Sequence, residues 1–132
     1  MPAPFMFSAL SQAKLGTCHP HLRTLFLEVI KHVDCTVLEG HRSVLDQDKA
    51  FHEGRSKLRG GSSKHNMTPS MAVDVAPYPI DWNDRDRFLL FVGFVKGVAA
   101  QLGIRIRCGA DWDGDGTTTD QTFHDLPHFE LI

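Results

Sequence analysis

The sequence predicts one α+β domain in which helices pack on a small, mostly antiparallel sheet. Its 132 residues suit a single domain, with 42% hydrophobic and 23% charged residues, as in ordinary folded proteins. Short strand-like segments lie among helical ones, and they cannot each be followed by a crossover helix. The chain has neither an internal repeat nor a linker. We therefore expect residues 1–132 to form one unit.

Apolar residues recur at helical spacing in two segments, 21–33 and 84–104, and each is predicted to be a helix with one buried face. The more polar segment 43–55 is also predicted to be helical. Within the longest helix, Gly93 and Gly97 are expected to let a neighbouring element approach closely.

Four strands are predicted, over residues 36–40, 71–79, 104–108 and 128–132. In the second strand, alternation puts Ala72, Asp74 and Ala76 on one face and the larger apolar residues on the other. A loop rich in Gly and Ser precedes this strand at 59–70, and an acidic loop occupies 109–122.

The charges are unevenly distributed along the chain. Residues 1–110 carry 14 Lys and Arg against 10 acids, whereas residues 111–132 carry six acids and no Lys or Arg. Such a density of carboxylates suggests a bound cation, although a solvated acidic loop explains the charge equally well. One short basic group lacks interleaved aromatic residues, which argues against nucleic-acid binding. Its members are Arg55, Lys57, Arg59 and Lys64.

The three cysteines, Cys18, Cys35 and Cys108, are odd in number and show no CxxC spacing. A disulfide framework is therefore not expected, and synthesis in a reducing cytoplasm fits better. The first 14 residues lack the pattern of a secretory signal, and the longest apolar stretch, 88–100, is too short to span a bilayer. The sequence thus predicts neither export nor membrane insertion.

His65 and Asp74 are the first candidates for metal ligands. His65 lies in the Gly and Ser loop, where packing gives it no purpose, and Asp74 lies on the small-residue face of the following strand. A buried Asp between Ala72 and Ala76 is costly unless it meets a cation. A loop that runs directly into a strand can bring the two side chains together.

Three short motifs follow one another in a recognisable order. The first motif reads Gly, any residue, Arg, Ser, and then a Gln four residues after the Ser. The second motif reads Ser, any residue, His, followed after a short gap by Ala, any residue, Asp. The third motif is an Asp followed three residues later by His. The matching residues are Gly40, Arg42, Ser43 and Gln47, then Ser63, His65, Ala72 and Asp74, and finally Asp125 and His128. The pattern resembles the VanY-like and D,D-carboxypeptidase zinc peptidases, and most closely the single-domain phage endolysins of the L-alanyl-D-glutamate peptidase type.

The resemblance implies a hedgehog/D,D-peptidase-like fold and a zinc ion held by His65, Asp74 and His128, with one position left open. Two His and one carboxylate with an open position is a catalytic arrangement, since structural zinc sites are closed. Asp125 would be the general base. Arg42 would stabilise the oxyanion or bind a substrate carboxylate, unless it forms only a surface salt bridge.

By the same resemblance Gln47 would contact substrate, and Ser63 would bind substrate or orient His65, unless it serves only the solubility of the loop. The substrate would be bacterial peptidoglycan, cut between L-Ala and D-Glu. A phage enzyme of this kind would stay in the host cytoplasm until a holin opens the membrane, would then reach the cell wall, and would act as a monomer. No separate wall-binding domain is expected. His124 and Glu130 receive no role.

Two other functions remain open at this point. The first is a D,D- or L,D-carboxypeptidase that uses the same metal site. The second is a non-catalytic, zinc-stabilised wall-binding module, against which the presence of Asp125 argues.

The acidic loop also matches part of a calcium loop. Asp111, Asp113, Asp115 and Gly116 occupy positions 1, 3, 5 and 6 of that pattern. Position 12 is Thr122 instead of Glu, and Asp120 is the candidate for the missing carboxylate. Calcium bound here would order the segment that leads to Asp125, but a bare acidic loop is an equal alternative.

Overall fold

The computed structural model describes residues 5–56, 58, 60–61, 63–119 and 125–132. These residues form four α-helices, one short 3₁₀ helix and a four-stranded sheet. In chain order the elements are α1 (Ala9–Leu15), α2 (Pro20–Val29), β1 (Cys35–Glu39), α3 (Val44–His52), the 3₁₀ helix (Lys64–Asn66), β2 (Ala72–Pro77), α4 (Arg85–Leu102), β3 (Ile106–Cys108) and β4 (His128–Leu131).

The sheet has the order β1-β2-β4-β3, and every neighbouring pair is antiparallel. The last strand in the sequence, β4, therefore lies between β2 and β3. Its register places His128 directly opposite Asp74 and Glu130 opposite Arg107. Because partners in an antiparallel pair lie only about 4.5–5.5 Å apart, this register brings their side chains together.

The core lies between the sheet and the helices α2 and α4. Phe129 of β4 is fully buried, and its ring meets Phe26 of α2 and Phe91 of α4 edge to face, at centroid distances of 5.3 and 6.2 Å. Edge-to-face pairs of this kind add about 0.5–1.5 kcal/mol to the stabilisation from burial. They fix β4 against both helices, and with it the two polar residues that flank Phe129.

The predicted α+β class is confirmed. The helices predicted over 43–55 and 84–104 are present but shorter at both ends. The helix predicted over 21–33 begins at Pro20 and ends at Val29, with Ile30 as its C-cap. Helix α1 was not predicted. It has seven residues, and the Ser8 hydroxyl caps it by accepting a hydrogen bond from the Ser11 amide.

The expectation that Gly93 and Gly97 admit a close neighbour is wrong. Both are exposed on α4, and a Cβ atom built on either would have no heavy atom within 4 Å beyond its own helix surroundings. Close approach occurs instead at Gly40 and Gly109. A Cβ there would overlap backbone atoms of Lys14 or Asp125, respectively.

The three cysteines are buried and unpaired, which confirms that they form no disulfide framework. Burial raises the pKa of the Cys18 thiol to about 11 and the pKa values of Cys35 and Cys108 to about 12. None of the helices in the described ranges is long and apolar enough to cross a bilayer.

Candidate metal centre

Three side chains from three different segments converge at one point. His65 comes from the 3₁₀ helix, Asp74 from the middle of β2 and His128 from the start of β4. The Nε2 atom of His65 lies 3.2 Å from Oδ1 of Asp74 and 3.3 Å from Nδ1 of His128. The third distance, from Nδ1 of His128 to Oδ1 of Asp74, is 3.2 Å. The sequence-predicted ligand candidates thus form an almost equilateral triangle.

The outer nitrogen of each histidine already has a partner. Nδ1 of His65 lies 2.7 Å from the carbonyl oxygen of Gly40, and Nε2 of His128 lies 2.8 Å from Oε1 of Glu130. A carbonyl and a carboxylate oxygen can only accept, so each of these nitrogens carries the proton. In the neutral tautomer that results, Nε2 of His65 and Nδ1 of His128 have bare lone pairs.

Those two lone pairs and the Asp74 carboxylate all face the same point. While both imidazoles are neutral, these three acceptors cannot hydrogen-bond one another, so the arrangement requires a positive charge between them, which either an added proton or a metal ion supplies. Ligand atoms about 2.0–2.1 Å from a tetrahedral zinc ion lie about 3.3 Å apart, which is the spacing found here. The His65, Asp74 and His128 cluster is therefore compatible with a metal site.

The pKa values of His128 and Asp74 also indicate that the cluster attracts positive charge. Burial disfavours the charged form of His128, but its hydrogen bonds with Asp74 and Glu130 outweigh burial and raise its pKa to about 9. Burial likewise opposes ionisation of Asp74, yet the hydrogen bonds from His128 and His65 hold the pKa of Asp74 far below its usual range. The point of convergence thus attracts positive charge, whether a proton or a metal ion.

Asp125 lies beside this triangle. Its Oδ2 atom is 3.8 Å from Nδ1 of His128. The backbone is fixed on both sides, because the Asp125 amide donates to the Gly109 carbonyl at 3.1 Å and the His128 amide donates to the Asp125 carbonyl at 3.0 Å. Burial, followed by the negative charge of Asp74, raises the pKa of Asp125 to about 6.

Arg42 lies on another side of the cluster, with its side chain largely buried. Its Nη2 atom donates to Glu39 Oε2 at 2.7 Å and lies 3.7 Å from Oδ2 of Asp74. Its Nη1 atom donates to Oε1 of Gln47 at 2.7 Å. Arg42 is therefore a buried, oriented guanidinium and not the surface salt bridge that the sequence left open.

Gln47 differs from the expectation that it contacts substrate. The residue is fully buried, its oxygen accepts from Arg42, and its amide nitrogen donates to Ser56 Oγ at 2.8 Å and Leu58 O at 2.6 Å. Both the oxygen and the amide nitrogen of the Gln47 side chain are thus hydrogen-bonded to other residues of the protein. Gln47 lies on the buried side of α3, and its side chain therefore contacts and orients Arg42.

The cluster opens into a pocket of about 550 Å³. Ser63 lies on its wall, where its hydroxyl accepts a hydrogen bond from the His65 amide at 3.1 Å and so caps the 3₁₀ helix. Trp112 packs over His128 with a ring-centroid distance of 5.2 Å. The remaining lining is mostly charged and includes Arg55, Lys64 and Arg107.

The acidic loop brings Asp111, Asp113 and Asp115 together, with one oxygen of each within 4.8 Å of the others. Asp111 is only 4% exposed. Its Oδ2 atom accepts from the Gly116 amide at 2.7 Å, while its buried Oδ1 atom has no hydrogen-bond partner among the described residues. Asp120 and His124, along with Lys57, Arg59 and Thr122, lie outside the described residues.

Two contributions to the site could not be read from the sequence pattern. Gly40 was matched as a motif residue, but its carbonyl contact with His65 depends on how β1 leads past α1. Glu130 had no role, and its contact with His128 follows from strand geometry, since residues two apart in a strand share one face. The two-residue spacing of His128 and Glu130 in a predicted strand could therefore have indicated this contact.

The comparisons with known proteins agree with the motif pattern. The model for the phage L-alanyl-D-glutamate peptidase family matches residues 3–132. The L-alanyl-D-glutamate peptidase of Escherichia phage T5 is 31% identical over an alignment of 136 positions that covers 97% of this chain and 98% of that protein. The peptidoglycan L-alanyl-D-glutamate endopeptidase CwlK of Bacillus subtilis (strain 168) is 29% identical over an alignment of 121 positions that covers 77% of this chain and 63% of CwlK.

Among solved structures, the L-Ala D-Glu endopeptidase ChiX of Serratia marcescens has the same fold. Its TM-score is 0.76 at 27% sequence identity, with 96% of this chain and 90% of that chain covered. The resemblance seen in the motifs is thus confirmed over nearly the whole length. The chain belongs to the phage L-alanyl-D-glutamate peptidase family.

Proposed function

We propose that this chain is a zinc-dependent endopeptidase that hydrolyses the L-Ala–D-Glu bond of bacterial peptidoglycan and so lyses the cell. The observation that carries the proposal is the convergence of three lone-pair atoms, from His65, Asp74 and His128, at spacings of 3.2–3.3 Å. Family membership supports the choice of bond, since the relatives are named as L-alanyl-D-glutamate peptidases.

Two imidazoles and one carboxylate form a donor set that suits zinc. Bound in such a site, zinc supplies Lewis-acid polarisation of a carbonyl and lowers the pKa of water from about 15.7 to about 7. The three ligands come from two adjacent strands and a capped turn, so the protein holds them in place before any ion arrives.

Asp125 is the general base in this proposal. Its carboxylate takes a proton from the attacking water and later gives it to the leaving amine of D-Glu. A pKa of about 6, raised by burial and by Asp74, suits a group that must both accept and release a proton near neutral pH. The presence of this residue beside the cluster favours an enzyme over a non-catalytic wall-binding module.

Arg42 supplies positive charge next to Asp74, with its Nη2 atom 3.7 Å from Oδ2 of that carboxylate. Glu39 and Gln47 orient its guanidinium, and it lines the pocket next to Asp74. An oriented cation there stabilises negative charge that develops on the scissile carbonyl oxygen. Ser63 lines the same pocket beside His65 and is the candidate for a direct substrate contact.

The pocket lining also fits the substrate class. Arg42, Lys64 and Arg107 are already paired with Glu39 or Glu130, but Arg55 lines the pocket with an exposed side chain that can pair with a carboxylate of an acidic peptide. The D-Glu residue of a peptidoglycan stem peptide belongs to that class.

The bond is tested by digesting purified peptidoglycan and identifying the products by mass spectrometry. New amino groups on D-Glu are expected. Release of terminal D-Ala would instead identify the carboxypeptidase alternative. Treatment with a chelator should stop the reaction, and zinc added back alone should restore it. Activity that persists in a protein proven metal-free would contradict the metal assignment.

Calcium binding at the acidic loop is a finer part of the proposal. It rests on the unpartnered, buried Oδ1 atom of Asp111 together with the convergence of Asp113 and Asp115, because a buried carboxylate oxygen without a donor is costly unless a cation meets it. Asp120 would complete the set. Titration of the zinc-loaded protein with calcium should show one site that Asp111→Asn removes and that Asp34→Asn, outside the loop, retains.

For the biological setting, we propose that the protein stays in the host cytoplasm until a holin opens the membrane, then acts on the wall as a monomer. Family membership among phage peptidases supports this setting. Induced expression without a holin should leave cells intact, whereas permeabilising the membrane should start lysis. Size-exclusion chromatography with light scattering checks the monomer.

A further inference from the structure

Glu130 is buried between strands and connects one metal-ligand candidate to two cations. Its Oε1 atom lies 2.8 Å from Nε2 of His128. Its Oε2 atom accepts from Arg107 at 2.7 Å through Nη2 and at 3.2 Å through Nε, and lies 3.4 Å from Nζ of Lys64. Both carboxylate oxygens are therefore engaged, each with a different kind of partner.

The direction of the His128 hydrogen bond decides which nitrogen faces the cluster with a lone pair. A carboxylate accepts and cannot donate, so Nε2 keeps its proton, and in the neutral imidazole that a metal ion requires Nδ1 is left bare toward Asp74. If Nε2 lost its acceptor, the proton could move to Nδ1, and His128 would then present N–H where a ligand atom is needed.

Arg107 and Lys64 hold the carboxylate in this role. Both are obligate donors, and both approach Oε2, which leaves Oε1 for His128. Lys64 also donates to the Leu131 carbonyl. It thereby ties the turn that carries His65 to the strand that carries His128.

We infer that Glu130 is a positioning residue of the metal site, which fixes the tautomer and ring orientation of His128, and that Arg107 and Lys64 orient Glu130 for this task. The inference rests on the proposed metal-binding function of His65, Asp74 and His128. Carboxylates that support a ligating His in this way change metal affinity about 10- to 100-fold when they are lost.

Glu130→Gln is the decisive variant because it keeps the size of the side chain. The new amide must offer its oxygen to Arg107 and Lys64, since both can only donate, and so its NH₂ group faces His128. Nε2 must then accept, which moves the proton to Nδ1. We expect zinc affinity to fall about 10- to 100-fold in competition with a chromophoric chelator, while the fold is retained.

The matched control is Glu28→Gln. Glu28 also pairs with a histidine, His32, at 3.4 Å, but on the exposed face of α2 away from the site. The zinc affinity of the Glu28→Gln variant should equal that of the unmodified protein. If Glu130→Gln keeps zinc affinity within twofold of the control, the inference is wrong, even if the unmodified protein binds zinc and cleaves peptidoglycan.

The tautomer is measured separately on the unmodified zinc-loaded protein, which removes any dependence on how the variant folds. Long-range ¹H–¹⁵N spectra of the imidazoles should show a proton on Nε2 of His128 and none on Nδ1. A proton on Nδ1 would overturn the inference. If instead the unmodified protein binds no zinc at these three residues, the proposed function itself fails, and the two failures are therefore distinguishable.

Discussion

Nδ1 of His65 donates a hydrogen bond to the carbonyl oxygen of Gly40 at 2.7 Å, across 25 positions of sequence. Gly40 takes this position because its Cα lies against the end of α1, next to Lys14, Thr17 and Cys18. The missing side chain thus lets the segment after β1 approach α1 and aim its carbonyl at the imidazole.

Gly40→Ala is therefore expected to weaken both the fold and the metal site. The new Cβ would overlap the Lys14 carbonyl and the Thr17 hydroxyl, so the segment must move and the His65 contact lengthens. Overpacking of this kind costs about 1–3 kcal/mol. Urea unfolding and zinc competition measure the two effects. Equal values for the variant and the unmodified protein would show that Gly40 has no such role.

Asp125→Asn should abolish catalysis and retain metal. The amide cannot take a proton from water, and loss of a general base lowers the rate about 10²- to 10⁴-fold. Zinc content per chain, measured by atomic emission, should be unchanged. Asp86→Asn, on the exposed first turn of α4, is the control and should keep full activity. Cell lysis at the normal rate by Asp125→Asn would refute its assignment as the base.

Gln47→Leu tests whether this residue orients Arg42. The substitution removes the acceptor for Nη1 of Arg42, a hydrogen bond to a charged group worth about 1.5–3 kcal/mol. We expect turnover to drop while zinc affinity stays constant, because Gln47 touches no ligand. Gln12→Leu serves as the control, since Gln12 also donates through its amide, to the Phe7 carbonyl, but does not line this pocket. A change in zinc affinity alone would contradict the assignment.

Gly93→Ala and Gly97→Ala should each stabilise the protein. Both glycines lie inside α4 with open space where a Cβ would stand, and Ala is favoured over Gly by about 1 kcal/mol in a helix interior. Thermal unfolding should show Tm higher by a few degrees for each variant. A lower Tm would mean that a partner covers this face of α4.

The thiols should resist reagents in the native state. Burial raises the pKa of each cysteine above the ordinary 9.0, to about 11 for Cys18 and about 12 for Cys35 and Cys108. The thiolate that reacts is therefore scarce at pH 8. A disulfide reagent should label three thiols in urea and none without it. Rapid native labelling would show that a thiol is accessible.

The same raised pKa values predict alkaline destabilisation. Folding favours the protonated thiols, so their contribution to stability is complete below the ordinary pKa of about 9.0 and is lost as pH rises toward 11–12. The urea midpoint should fall across this window. A triple Cys→Ala variant should show a smaller fall in its urea midpoint between the two ends of this pH window.

The sequence predicted the parts of the fold that carry a strong local pattern. The apolar period of α4 and the alternation of β2 identified both elements, and the motif order anticipated that His65, Asp74 and His128 meet. Helix α1 was missed because it has only seven residues and two buried ones, Ser11 and Leu15, which is too little for a recognisable period.

The contacts around the cluster depend on long-range pairing, which no local pattern contains. Glu130 meets Arg107 because β3 and β4 pair in a particular register. Gln47 belongs to a polar helix, and only the packing of α3 determines that this one amide is buried beneath Arg42. Register and helix rotation are properties of the whole domain, so the roles of these residues required the structure.

The position of β4 inside the sheet has a consequence for how the protein is made. β4 follows the other three described strands in the sequence, yet it lies between β2 and β3 and carries His128. A chain that stops before β4 thus has neither the complete sheet nor all three candidate ligands. The order of strands therefore couples completion of the sheet to completion of the candidate metal cluster, so neither forms in a chain that stops before His128.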